Sequence, residues 1–374
     1  MQDYAEPVVL VVRDPEDVDE AKALLIEAGY NPIETIFVKK IDAGCYLGRG
    51  KLEELRKRLE ELGVRKLCIF DELKPRHFTC LIKELGVDVL DKVMLILEIF
   101  SRHAGSKEAK LQIELAKLRH QLPLVRDWLR RAKLRELPGF LGAGEYAIDA
   151  YYRHIRARIA RISRELEKLR ERRAYERTKR RESGLPHVAI AGYTNSGKTT
   201  LFNALTNLRK PTGSELFTTL SPKTYAVRMC GSRVALIDTV GFIRKIPLEI
   251  VEAFRAVLEE IADADAILLV VDASEPRDSM LSKLYSSLRI LREIGASGRP
   301  MIIALNKIDL LNGISIQSLV DDVWSAVRDT EFRVVDVVPI SALKRLNLDK
   351  LKEGICRALA STSTNFNHLC TSLG

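Results

Sequence analysis

The stretch Gly192-Tyr193-Thr194-Asn195-Ser196-Gly197-Lys198-Thr199 constrains the fold of this chain more than any other. It fits G-x-x-x-x-G-K-[ST], in which glycines let backbone N–H groups curl around phosphates, the lysine reaches the β and γ oxygens, and the hydroxyl binds Mg²⁺. The motif works only between a strand and a helix. Residues 187–191 read as a short buried strand, and residues 200–205 continue as a helix whose N-terminal dipole faces the phosphates. A parallel α/β domain follows from that arrangement.

The base is named later, by Asn306-Lys307-Ile308-Asp309. A carboxylate at Asp309 accepts from both N1–H and the exocyclic amine of guanine, whereas adenine presents an acceptor at N1. Sites built on buried hydrogen bonds discriminate strongly for this reason. Asn306 is expected to hold the loop and the base edge, and the Lys307 stem to lie over the ring. The tetrapeptide alone reads as an ordinary turn after a strand. Its place behind a phosphate loop, at the end of the apolar run 301–305, favours the guanine reading.

Two further pieces complete the set. Asp238-Thr239-Val240-Gly241 ends the apolar run 234–237, so Asp238 is expected to hold Mg²⁺ through water and the Gly241 N–H to meet the γ-phosphate. Ser341-Ala342-Leu343 follows residues 334–338 and is expected to offer the Ala342 N–H to guanine O6. Between these motifs lies Phe217-Thr218-Thr219-Leu220-Ser221, where Thr219, chosen over Thr218, is expected to join Thr199 in the Mg²⁺ shell when GTP is bound. Lys198, Thr219 and Gly241 are the candidates for direct action on the reacting phosphate.

With these motifs in place the chain resembles the HflX family of translational GTPases, within the broader class that includes Obg and TrmE. Outside the nucleotide motifs the resemblance rests on the segment from Tyr46 to Leu55, on Phe70-Asp71-Glu72-Leu73-Lys74-Pro75-Arg76, on the segment from Val89 to Phe100, and above all on Ser106-Lys107-Glu108-Ala109-Lys110-Leu111-Gln112 and its continuation to Ala116, followed by Leu122-Pro123. The resemblance implies binding to the large ribosomal subunit and its RNA and, as in bacterial members, separation of the subunits of stalled ribosomes. One departure stands out: the bacterial pattern Gly-Pro-Gly-Glu-Thr is replaced here by Gly139-Phe140-Leu141-Gly142-Ala143-Gly144-Glu145. The glycines keep the hinge, but any contact needing that proline and threonine is lost.

The chain has 374 residues, enough for two or three domains. Residues 1–90 alternate strand and helix patterns and are expected to form a small parallel α/β domain. From 91 to 183 no strand pattern appears. Leu111, Leu115, Leu118 and Leu122 recur at helical spacing, as do Ile155, Ile159, Ile162, Leu166 and Leu169, which predicts an antiparallel helix pair joined through the glycine-rich loop 139–144. Residues 184–360 are expected to be a P-loop G domain with a doubly wound sheet, and residues 361–374 a flexible tail. Gly44 to Lys51 has the wrong spacing for a second phosphate loop and reads as a glycine turn opening a helix.

Charge is uneven: 60 Lys and Arg face 51 Asp and Glu, and the excess gathers between residues 151 and 184. Such a cationic helix suits the phosphate backbone of RNA, although an isolated charge run is more often a solvated face. Trp128 sits among arginines, and packing is the expected fate of its ring, with stacking on a base as the alternative. The cysteines, including Cys45, Cys68, Cys80 and Cys356, show no Cys-x-x-Cys pair and are expected to be free thiols. No secretory leader or membrane span is read, so the expected location is the cytoplasm. The expected state is a monomer.

Hydrolysis in the Ras pattern uses a glutamine after the Gly241 position, where this chain has Phe242. Slow intrinsic turnover is therefore expected until a partner orders the switches. Asn195 matches the asparagine that helps place K⁺ in TrmE-like GTPases, which makes K⁺ a candidate second cofactor beside Mg²⁺. The competing function is an RNA-binding assembly factor in which GTP regulates binding and turnover is incidental.

Overall fold

The structure, a computed structural model, describes residues 5–133, 143–182, 185–208, 223–229, 231–239, 241–243, 258, 260–311, 313 and 315–361. Residues 139–142 of the expected 139–144 loop, the segment from Phe217 to Ser221, Val240 and residues 362–374 lie outside them, whereas Ala143 and Gly144 of that loop belong to a helix. Two compact units divide the chain, one running to Leu169 and the other taking up the chain at Arg170.

The first unit is built on four parallel strands, β1 (Glu6–Val12), β2 (Tyr30–Phe37), β3 (Lys66–Ile69) and β4 (Asp88–Asp91), in the order β2-β1-β3-β4. Residues 8–12 of β1 are buried without alternation, as a parallel strand covered on both faces requires. Helix α1 (Val18–Glu27) leads from β1 to β2. The connection from β2 to β3 then reverses direction across β1, so right-handed crossovers place α2 (Arg49–Leu62) and α3 (Pro75–Leu85) on the opposite face from α1. Their Leu55, Leu59, Phe78 and Leu81 close a core with Val9, Val11, Leu67 and Ile69.

Helix α4 (Lys92–His103) follows β4 directly, because the Asp91 carboxylate accepts the Met94 N–H at 2.9 Å and caps it. It packs against α1 and α5 (Lys107–Lys133), and α5 also lies on α3. The change from mixed to purely helical pattern at residue 91 thus falls inside one compact unit. Trp128 of α5 is half-buried and its indole N–H donates to Thr79 Oγ1 of α3 at 3.2 Å, the packing role expected of it.

Helix α6 (Ala143–Glu182) meets α5 along the two stripes read from the sequence. Leu111, Leu115 and Ile162 are buried together, with Leu118, Ile159, Leu166 and Leu169 packed on them. Lys107 pairs with Glu165 at 2.5 Å and Arg158 with Glu114 at 2.6 Å, so residue numbers rise on one helix as they fall on the other: the pair is antiparallel. These exposed ion pairs fix register more than stability, because solvent screens them.

The cysteine expectation fails. Cys45 and Cys80 form a disulfide, and Cys356 is also disulfide-bonded, leaving Cys68 of β3 as the free thiol among the described residues. Sequence spacing hides the first bridge because Cys45 lies in the loop before α2 and Cys80 on α3. Folding alone brings their Cα atoms to 5.2 Å, within bridging range. The bridge spans 35 residues and is expected to add about 2–4 kcal/mol by restricting the unfolded chain. The double variant Cys45→Ala, Cys80→Ala should melt several degrees lower by circular dichroism. An unchanged melting temperature would show that the bridge adds nothing.

In the second unit six strands take the order β10-β9-β8-β5-β7-β6. They are β5 (His187–Gly192), β6 (Lys223–Met229), β7 (Ser232–Asp238), β8 (Ala266–Asp272), β9 (Met301–Asn306) and β10 (Val334–Pro339), with only β6 antiparallel to its neighbour. Helices α7 (Lys198–Thr206), α8 (Arg277–Glu293), α9 (Ile316–Val327) and α10 (Leu348–Ala360) cover the sheet. The chain leaves central β5 toward β7 and returns on its other side at β8. That reversal opens a crevice at the carboxyl ends of the strands. No helix among the described residues is long and apolar enough to cross a membrane.

Candidate functional site

Five strand ends meet at this crevice, those of Gly192, Asp238, Asp272, Asn306 and Pro339. Strand pairing sets Ile190 opposite Asp238, Gly192 opposite Val270 and Asp272 opposite Asn306, so residues far apart in sequence are brought to one edge.

The loop from β5 to α7 needs its glycines for two distinct reasons. Gly192 has φ +142°, and a Cβ there would stand 2.3 Å from the Val270 carbonyl oxygen. Gly197 has φ +92°, and its Cβ would collide with the Asn306 amide nitrogen at 2.3 Å. Both conformations and both approaches exclude larger residues. Between them, exposed Asn195 holds φ +61°, a left-handed conformation that asparagine tolerates.

Lys198 opens α7 and is buried, its ammonium donating to the Tyr193 carbonyl at 2.5 Å. Burial pushes its pKa down to about 8, against the opposing pull of Asp238. An anion bound in the loop would restore the missing counter-charge. Thr199 faces across the crevice, its hydroxyl 3.4 Å from Asp238 Oδ2, and Asp238 is fully buried.

The segment after Asp238 is held against β5 and the phosphate loop by three hydrogen bonds. The Thr239 hydroxyl donates to the Ile190 carbonyl at 2.6 Å, Phe242 N–H to Gly192 O at 2.9 Å, and Thr194 N–H to Phe242 O at 2.7 Å. A Cβ on Gly241 would lie 2.9 Å from the Lys198 ammonium, so glycine is what lets this strand end approach it. The Phe242 ring is 1% exposed, inside the core, and cannot orient a water molecule. Thr219 and its neighbours fall outside the described residues, as does Val240.

The second half of the site is organised by Asn306. Its amide nitrogen donates to Ser196 O at 2.8 Å, tying β9 to the phosphate loop, and its oxygen accepts the Ala342 N–H at 2.9 Å. The N–H expected to meet guanine O6 is therefore engaged with Asn306 here. Lys307 takes a left-handed backbone, φ +68°, and Ile308 to Leu310 form a 3-10 turn whose Ile308 N–H donates to the Ile340 carbonyl at 3.2 Å, directly before Ser341. The Asp309 carboxylate is half-buried and has no hydrogen bond or ion pair among the described residues. Such an acceptor pair matches a ligand with two adjacent N–H donors.

Three matches cover most of the chain: residues 15–101 fit the model of the GTP-binding GTPase N-terminal region, 103–180 the GTP-binding GTPase middle region, and 187–307 the 50S ribosome-binding GTPase. The GTPase HflX of Hyperthermus butylicus is 49% identical over 349 residues, which span 92% of this chain and 93% of that protein. The chain belongs to the HflX family of GTPases. The HflX of Saccharolobus solfataricus is 41% identical over 91% of this chain and 95% of its own. A solved GTP-binding protein from the hyperthermophilic archaeon Sulfolobus solfataricus, in complex with GDP, is similar across 96% of this HflX-family chain and 100% of its own, with 37% identity and a TM-score of 0.54. The HflX-family assignment makes this chain a GTP-binding GTPase of mixed α/β fold, in agreement with the sequence motifs.

Sequence reasoning missed Asp272, which ends β8 beside Asn306, and Arg345, whose guanidinium donates to Ala204 O at 2.8 Å and Asn207 Oδ1 at 2.7 Å at the end of α7. Asp272 had a signal. It ends a wholly apolar strand at the same edge as Asp238.

Proposed function

We propose that the chain is a cytoplasmic GTP-hydrolysing switch that acts on the large ribosomal subunit in rescue or recycling of ribosomes. The observation that carries the ribosomal part is α6, where Arg153, Arg156, Arg161, Arg164, Lys168 and Arg172 are exposed and outnumber the acids among them, Glu167 and Glu171 being exposed and Asp149 pairing with Arg153 at 3.0 Å. Charge arrayed along a rod suits an RNA backbone. The match of residues 187–307 to a 50S ribosome-binding GTPase model supports the same partner.

In this reading Lys198 binds the β and γ oxygens, Gly241 meets the γ-phosphate, and Asp309 selects guanine. The Thr199 hydroxyl and the buried Asp238 carboxylate form an oxygen donor pair suited to Mg²⁺, Asp238 acting through water. The ion supplies neutralisation of phosphate charge. Thr219 is assigned to complete that shell once GTP is bound.

Phe242 is buried, so no side chain at that position holds the attacking water, and turnover by the free protein should be slow. Asn195 supports K⁺ as a source of added charge at the phosphates. GTP hydrolysis is expected to rise on adding large subunits, to be faster in KCl than in NaCl at equal ionic strength, and to lose that salt preference in Asn195→Ala. Equal rates in both salts, with subunits present, would reduce Asn195 to a loop-shaping residue.

A further inference from the structure

Lys307 and Asp272 meet across the ends of neighbouring strands. The Lys307 ammonium lies 2.6 Å from Asp272 Oδ2, and the carboxylate side chain is only 8% exposed. Its other oxygen, Oδ1, accepts both the backbone N–H of Ser274 at 3.0 Å and the Ser274 hydroxyl at 2.6 Å. The carboxylate is thus fixed from two sides. Strand register holds the pair together, since Asp272 sits opposite Asn306 and the Ala273 N–H donates to Asn306 O at 2.8 Å.

Lys307 has reasons not to be ordered. It follows directly on β9 in a left-handed conformation, φ +68°, which costs a residue with a Cβ about 1–2 kcal/mol. Its four-carbon stem also carries about 2 kcal/mol of rotamer entropy. A short, largely desolvated ion pair offsets both costs and draws the stem along one path, with its methylene groups available as an apolar surface.

We propose that Asp272 is a positioning residue for guanine-nucleotide binding, which sets the Lys307 stem against the face of the base. This inference rests on the reading of residues 306–309 as the guanine site. Asp272 touches no nucleotide atom in this scheme; it acts through Lys307, and Ser274 holds it in place.

Asp272→Asn separates the roles, because the amide oxygen still accepts from Ser274 while the charge facing Lys307 is lost. Release of fluorescently labelled GDP, chased with unlabelled GDP, should be about tenfold faster in this variant, the scale of one charge-assisted contact. Lys307→Met should accelerate release at least as much. The double variant should be no faster than Lys307→Met alone, a result that a merely structural role for Asp272 would not give. Parent-like release in Asp272→Asn would overturn the proposal, and so would an added effect of Asp272→Asn in the Lys307→Met background. Should Lys307→Met itself release GDP at the parent rate, the guanine-site reading falls and the proposal with it.

Discussion

Replacing Lys198 with alanine is expected to weaken GTP binding by at least about a hundredfold and to abolish turnover, because the β and γ oxygens lose a charged donor held inside the loop. The ammonium is already buried and fixed on Tyr193 O, so phosphate gains it without ordering a free side chain. The nucleotide-free variant should fold as well as the parent, since burial disfavours that charge to begin with. Titration with labelled GTP, beside a melting curve of the apo protein, reads both effects. A folded variant with parent affinity would sink the phosphate-loop assignment.

Asp309→Asn should act on the base instead. The carboxylate meets two guanine N–H groups, whereas an asparagine amide presents one acceptor and one donor. Xanthine, with a carbonyl where guanine has an amine, suits that pair. GTP affinity is expected to fall by about a hundredfold or more and xanthosine triphosphate affinity to rise, with ATP poorly bound throughout. The half-buried, unengaged carboxylate is the ground for this expectation. Unaltered preference for GTP over the xanthine nucleotide would move guanine recognition away from Asp309.

Much of the fold was legible because its signals are local. The strand and helix alternation of residues 1–90 and the strand at 187–191 appear where expected, and the leucine and isoleucine stripes of α5 and α6 meet as their spacing requires. The phosphate loop was legible for the same reason, as glycine positions and a strand-to-helix context are written in sequence. What escaped depends on tertiary proximity. The Cys45 to Cys80 bridge joins a loop to a helix 35 residues on. Asp272 ends an apolar strand, but its pairing with Lys307 is set by strand register with Asn306, and the Ala342 N–H is claimed by an Asn306 side chain that a linear reading aims at the base. The helical pattern change at residue 91 marks no edge of a compact unit, because α4 is capped by Asp91 and packs on α1.

The proposed association with the large ribosomal subunit is expected to depend on the bound nucleotide, and cosedimentation tests it most directly. With a non-hydrolysable GTP analogue the protein should pellet with isolated large subunits, and with GDP it should remain largely in the supernatant. Binding should weaken steeply with salt, as counterions released from RNA return, and charge reversal at Arg156, Arg164 and Arg172 should lower both affinity and salt slope while leaving GTP affinity intact. Equal pelleting with the analogue and GDP, or a charge-reversed protein that binds with the parent's affinity and slope, would contradict it.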